Sequence, residues 1–472
     1  MQLQRIQVKW SMVAIMLLVG HSSFGQTEAE KTPSTNGWSL EQCIRYALEN
    51  NLSIKSQDLS LRVQENTYRA SQYGLLPSLS ADASHSTTFG RALDPTQYTF
   101  VDNTVKNING SVSANVILFD GLQKQNAIRK NRFDFLATSS EFEKLKNDIS
   151  LNITAAYLQI LMDEELLRID VNQLTLTNQQ VEQTRKLVDA GKVVMGNLLD
   201  IQAQEAAEEL QVVNAKNKLS LSNLQLIQLL DLKDTTFRIV MPDMNSFVIS
   251  AVVSNLESVY PVAEGNLPQI KTAQYRAESA RTSIKIAQGQ YYPQLSLSAS
   301  YGSSYSDIRE RVKIENGIPV LDGTGQPVYE KYPFFDQFKD NKSLGVFFRL
   351  SVPIFTGFST RYNVSSSKAN YQKSLIALQV EKNTLYKEIQ QASSDAVASY
   401  NRYSASNKSV ETLNLAFKYN QDRFNLGLIT SLEYNTAKNK LAKAQSDLLQ
   451  SRYEYIFKTK ILDFYMGNPI KL

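Results

Sequence analysis

Cysteine occurs once in this chain of 472 residues, at Cys43. A disulfide framework and a cysteine metal cluster are both excluded. Histidine is nearly as scarce, with only His21 and His85. His85 stands alone in a strand-like segment, so a histidine dyad or metal site has no partners. No glycine-rich loop follows a strand to cradle a phosphate, so no nucleotide-driven chemistry belongs to this chain. The sequence therefore predicts a protein that is not an enzyme and carries no cofactor or metal. Charge of one sign is missing too. The formal net charge is +4, too balanced to point to a nucleic-acid partner. Glycine (19) and proline (12) are few for this length. Gln, Asn, Ser and Leu take their place, which favours long helices with polar faces. Long apolar runs are absent beyond the N-terminus, so entry into a membrane requires a β-barrel. With 42% hydrophobic and 20% charged residues, the chain is neither disordered nor a helical membrane protein.

What is present begins with an address. Arg5 and Lys9 precede an apolar run from Val13 to Val19, and Ser23-Phe24-Gly25 supplies small residues beyond it. This predicts a secretory signal peptide over residues 1–25, cut after about Gly25. Losing Arg5 and Lys9 lowers the net charge to +2. No cysteine stands just after the apolar run, which argues against an N-terminal lipid anchor.

The remainder is written twice. Gln72, Pro77, Leu79 and Ser80 recur 216 residues later as Gln288, Pro293, Leu295 and Ser296. Leu40-Glu41 and Ile54-Lys55 recur at the same offset as Leu256-Glu257 and Ile270-Lys271. Phe119-Asp120-Gly121 returns as Phe355-Thr356-Gly357, and Gly191 as Gly427, now 236 residues apart. The change of offset places a 20-residue insertion in the second copy, most naturally in the Gly- and Pro-bearing stretch from Asp307 to Lys342. The expected repeats are 26–250 and 251–472. In each, a helix of about 35 residues leads to Pro77 or Pro293, two strand-like segments follow, and Gly121 or Gly357 opens a very long helix.

The strand-like segments alternate with period two. Leu79, Ala81 and Ala83 oppose Ser80, Asp82 and Ser84. Val112, Ala114, Val116 and Leu118 oppose Ser113, Asn115 and Ile117. Leu295, Leu297, Ala299, Tyr301 and Tyr305 oppose Ser296, Ser298, Ser300 and Ser304. Leu344, Val346, Phe348, Leu350, Val352 and Ile354 oppose Gly345, Phe347, Arg349, Ser351 and Pro353. One apolar and one small, polar face suit lipid outside and water inside. A soluble sandwich with one solvated face would carry the same alternation. Pro353 marks a strand end. Four strands cannot close a barrel, and open edges are not tolerated in hydrocarbon, so the chain must oligomerise. Two chains would supply eight strands and three would supply twelve; the larger number suits an aqueous pore, and strand arithmetic leaves the choice open.

From Gly121 to Val188 there is no proline and no internal glycine. Phe142, Leu145, Ile149, Ile153, Ala156 and Ile160 step by threes and fours, as do Leu385, Ile389, Ala392, Ala396, Tyr400 and Tyr403. Such seams predict antiparallel coiled coils. Cys43 belongs to an amphipathic stretch and is expected to be buried. Asp163-Glu164-Glu165 is expected on a solvated face. A periplasmic coiled-coil scaffold without a pore and a diffusion porin are the competing classes. The paired strands oppose the first and the long helices the second.

These residues resemble the TolC-like outer-membrane efflux factors. The resemblance covers nearly all of the chain beyond the signal. It rests on Leu76-Pro77 and Tyr292-Pro293, on Phe119-Asp120-Gly121 and Phe355-Thr356-Gly357, and on the run Phe424, Gly427, Ile429, Thr430, Leu432, Ala437, Leu441, Ala444, Gln445 and Leu448. It implies a mostly α protein with a small membrane β portion. It further implies a homotrimer with a 12-stranded barrel in outer-membrane lipid of a Gram-negative bacterium. A helical tunnel would cross the periplasm, to be met by a periplasmic adaptor and an inner-membrane pump of RND or ABC type. The tip turns would be Asp189 to Asn197 and Asn425 to Ser431, with Gly191, Gly427, Leu428 and Ile429 as docking residues. Glu433 matches the first acidic gate position of the family. Thr436 stands at the second, where the family often has an acid. Asp200 lies beyond the other turn. Phe424 stands where the family often has an aromatic that helps to close the tip.

Overall fold

The computed structural model describes residues 37–93, 100–102, 104–233, 237–242, 249–250 and 256–470. The predicted signal peptide lies outside them. Helices dominate, and nearly every one has a twin. α1 (Leu40–Asn50) and α2 (Leu52–Tyr73) precede strand β1 (Ser78–Thr88) and strand β2 (Val105–Phe119). Then α3 (Gln123–Asp189) and α4 (Met195–Leu229) form a long hairpin. The second copy repeats this with α5 (Leu256–Asn266), α6 (Pro268–Gly289), β3 (Gln294–Ser306), α7 (Phe334–Asp340), β4 (Ser343–Ser351), α8 (Ser359–Asn425) and α9 (Ser431–Tyr465). Both α3 and α8 have 67 residues, and both α4 and α9 have 35. At 1.5 Å per residue, the longer pair run about 100 Å each.

The single opening helix expected in the first copy is in fact two. Asn51 breaks it, because its side chain accepts from the N–H groups of Ser53 and Ile54 and so caps a new helix. Ser39 caps α1 through a reciprocal bond pair with Gln42.

The four main strands form one antiparallel sheet in the order β1-β2-β3-β4. Its register stacks like faces in rows. Leu79, Ala114, Ala299 and Val346 are neighbours, as are Ala81, Val112, Tyr301 and Leu344. The next rows on that face hold Val116, Leu297 and Phe348. The opposite face stacks Ser80, Ser113, Ser300 and Gly345. β4 stops at Ser351, just before Pro353. The outer edges of β1 and β4 have no strand partner among the described residues.

The two largest buried clusters that hold the described helices together again form a pair. Leu40, Cys43, Ala47, Ile153, Tyr157, Ile160, Leu226 and Ile456 pack where α1, α3, α4 and α9 meet. Their counterpart gathers Val259, Ala263, Ile270, Leu385 and Ile389. Cys43 is fully buried, and burial pushes its thiol up to about 12. The Tyr157 hydroxyl donates to the carbonyls of Val240 and Trp38, which ties the link between the repeats to α3. Asp163 departs from the expected solvated face. It is buried, accepting from Ser222 Oγ at 2.5 Å and pairing with Lys218 Nζ at 2.9 Å. Glu165, half-buried, accepts from the Tyr453 hydroxyl at 2.9 Å. Glu164 between them is exposed, as expected; a burst of acids reads as solvent-facing in one dimension, but Asp163 and Glu165 turn toward donors on α4 and α9.

Candidate functional site

The functional geometry has three levels: a sheet end, a joint between sheet and helices, and a tip where the hairpins turn.

In the sheet, the apolar rows are exposed. Leu79 is 76% exposed, Leu344 73% and Phe348 69%. A face of this kind is a liability in water and suited to hydrocarbon. Among the described residues, no helix is long and apolar enough to cross a membrane.

At the joints, Pro77 and Pro293 lie just before β1 and β3, and Gly121 and Gly357 lie just before α3 and α8. Both glycines have positive φ, +69° and +61°, and the residues after them, Leu122 and Phe358, are left-handed as well at +63°. Two successive left-handed residues turn the chain from strand to helix in little space. Gly121 also touches its surroundings: a Cβ there would lie 2.3 Å from the Gly289 carbonyl oxygen. At Gly357, its twin, a Cβ would meet nothing within 4 Å among the described residues of the single chain. Asp120 caps α3 by accepting from the N–H groups of Gln123 and Lys124; Thr356 stands in its place in the second copy.

At the tips, Gly191 (φ +68°) and Gly427 (φ +73°) end α3 and α8 in the same way. The Gly191 and Lys192 N–H groups donate to Val188 and Leu187; those of Gly427 and Leu428 donate to Phe424 and Arg423. This is a Schellman closure, which requires a left-handed residue after the helix. Around it apolar side chains face outward: Val194, Met195 and Leu199 on one turn, Leu426, Leu428 and Leu432 on the other. Ile429 is half-buried between them.

The gate candidates take different positions. Glu433 is exposed and forms a capping box with Thr430: its Oε2 accepts from the Thr430 N–H at 2.9 Å, and its own N–H donates to Thr430 Oγ1 at 3.3 Å. Those bonds from Thr430, the backbone one first, hold its carboxyl below the usual carboxylate range. Thr436 is exposed and donates back to the Leu432 carbonyl. Asp200 is exposed on α4. Phe424 is half-buried and packs on the buried ring of Tyr434, with centroids 4.8 Å apart.

A cluster absent from the sequence reading lies farther from the tips. Lys438 of α9 is buried against Glu208 of α4, Nζ to Oε1 at 3.0 Å, and donates to Thr177 and to the Gln173 carbonyl of α3. Burial draws the lysine pKa down while Glu208 opposes the shift. The pair ties one hairpin to the other. Its signal was available: Tyr434, Lys438 and Leu441 step by four and three, so the lysine stands on the buried stripe of α9.

The pattern of the outer membrane efflux protein family matches residues 43–231 and again 259–468. The chain belongs to that family. It is 21% identical over 447 residues to the outer membrane efflux protein BepC of Brucella suis, covering 94% of this chain and 87% of BepC. It is 23% identical over 435 residues to the solvent efflux pump outer membrane protein SrpC of Pseudomonas putida, covering 88% of this chain and 82% of SrpC. Its fold is that of the CmeC outer membrane channel of Campylobacter jejuni, with a TM-score of 0.76 at 15% identity, covering 96% and 93% of the two chains. As an outer membrane efflux protein, the chain combines a membrane sheet with a long periplasmic helical extension.

Proposed function

We propose that this outer membrane efflux protein is the trimeric exit duct of a tripartite export system, without catalytic activity of its own. The observation that carries this is the open-edged sheet with an exposed apolar face, joined directly to helices about 100 Å long. A sheet with two free edges survives in hydrocarbon only when copies complete each other's ladders. Three copies give the twelve strands that enclose an aqueous lumen. The helices then continue that lumen across the periplasm. The likeness to SrpC, whose name places it in a solvent efflux pump, supports a pump partner.

At the far end, the tip turns present exposed Leu426, Leu428 and Leu432 around Gly427, and Val194 and Met195 beside Gly191. These are the surfaces offered to a periplasmic adaptor, behind which an RND or ABC pump supplies energy. Glu433, repeated three times, places a ring of carboxylates near the narrow end, with Asp200, Thr436 and Phe424 around it.

The test is direct. Purified from outer membranes, the protein should migrate as a heat-modifiable trimer and insert into planar bilayers as a channel. A monomer without conductance would overturn the duct. Crosslinking from the Gly191 and Gly427 turns in cells should capture an adaptor.

A further inference from the structure

The insertion in the second copy folds back on its own sheet, and the face it chooses is informative. After β3 the chain forms a short ribbon, Glu310–Val312 against Tyr329–Lys331, and then α7. α7 reads Phe-Phe-Asp-Gln-Phe-Lys-Asp. Three separate contacts fix where it lies. The Phe334 ring meets the Tyr305 ring edge-on at 5.0 Å. Ser303 Oγ donates to the Phe338 carbonyl at 2.5 Å. The Phe338 ring covers Gly110, where a Cβ would come within 3.2 Å of it. Tyr305 and Ser303 share the face of Tyr301 and Leu297, and Gly110 pairs with Ser303 on the same face of β2. All three contacts therefore lie on the apolar face. Gln337 locks the arrangement, exchanging bonds with both the N–H and the carbonyl of Ser306.

The height is also determined. From Leu295 to Tyr305 there are ten residue steps, about 34 Å along a strand and, at the ~40° tilt of outer-membrane barrels, about 26 Å across the bilayer. That is the full height of the apolar band, whose upper rim carries an aromatic girdle. Phe335 projects from α7 with 82% of its surface exposed. Lys331 and Lys342 flank the helix and Lys339 lies in its last turn; all three are exposed, and none forms an ion pair among the described residues. The acids beside them are engaged: Asp336 with Arg311, and Asp340 with the Tyr332 hydroxyl.

We infer that α7 is an interfacial anchor: it lies outside the barrel in the headgroup zone of the outer leaflet, with Phe335 toward acyl chains and Lys331, Lys339 and Lys342 toward anionic headgroups. The inserted segment thus turns away from the pore mouth and onto the membrane, leaving the mouth uncovered by α7. Aromatic rings and flanking lysines are the side chains that rest at such an interface. The inference rests on the barrel reading, because it takes the apolar face as the lipid face.

The native Cys43 makes the test clean, since a buried thiol with a raised pKa does not compete for label. Single cysteines are placed as Phe335→Cys on α7, Phe348→Cys on the apolar face and Ser300→Cys on the polar face. Each is spin-labelled in the full-length protein, in vesicles of phosphatidylethanolamine and phosphatidylglycerol. Oxygen, which concentrates in lipid, and a water-soluble nickel chelate report exposure. The expected result is a several-fold higher oxygen-to-nickel accessibility ratio at positions 335 and 348 than at 300. A water-like ratio at 335 with a lipid-like ratio at 348 overturns the anchor and leaves the barrel intact. A water-like ratio at 348 overturns the barrel reading itself, and the anchor with it.

Discussion

Single side chains tie the two hairpins to each other. Lys438 and Glu208 are both buried, and their attraction bridges α9 and α4. Removing one partner leaves a charge without water or a counterion, which costs about 3–5 kcal/mol, whereas an apolar pair of similar volume costs far less. Lys438→Met should therefore speed amide exchange in the 170–210 and 430–440 segments, and Lys438→Met/Glu208→Leu should restore much of the protection. Equal loss in the single and double variants would deny the pair its role. Glu433 calls for a gentler change. Its carboxylate is the N3 member of a capping box, a place that glutamine fills as well. Glu433→Gln thus removes the charge and keeps the cap. The expected outcome is weaker cation preference and altered conductance in planar bilayers, with an unchanged trimer; identical channels would end its candidacy as a gate.

Elements are defined here by their ends. Gly427 is left-handed because the Schellman closure of α8 needs it so, and a β-branched residue there strains the turn. Gly427→Val should lose adaptor crosslinking and export while the trimer persists; full export would refute the docking role of this turn. The joints give a sharper contrast. Gly121→Ala drives a methyl into the Gly289 backbone, so β2 or α6 must shift. Gly357→Ala meets nothing among the described residues of its own chain and pays only the left-handed penalty, roughly 1–2 kcal/mol. Heat dissociation of the trimer should fall far more for Gly121→Ala, unless the next subunit fills the space beside Gly357. Equal falls would mean that it does.

At the scale of the whole molecule, duplication predicts the subunit contact. Within the chain, Ala114 of β2 faces Ala299 of β3. Shifting the first by 236 and the second by 216 residues gives Leu350 and Ala83, the free edges of β4 and β1. Leu350 should then face Ala83 of the partner subunit. Cysteines at both positions should oxidise to a ladder ending at covalent trimers on denaturing gels. A ladder ending at dimers would reject the three-fold assembly. The same relation was legible in the sequence because the anchors Pro77/Pro293 and Gly121/Gly357 survived in both copies. The strand faces were legible too, since period two is written in Leu79, Ala81 and Ala83. Asn51 as a helix break was not, because an asparagine cap and a helical asparagine look alike until the backbone turns.

The sequence by itself determined the duplication, the alternating sheet faces, the seams of the long helices and the family. Each of these is a local or periodic property, repeated along the chain and so readable along it. Only the tertiary structure decided that Asp163 is buried, that Lys438 meets Glu208 across 230 residues, and that α7 lies on the apolar face of the sheet. Those outcomes depend on which helix or strand stands opposite. A buried carboxylate or an aromatic helix is stable only against its particular partner, and that partner lies far away along the chain.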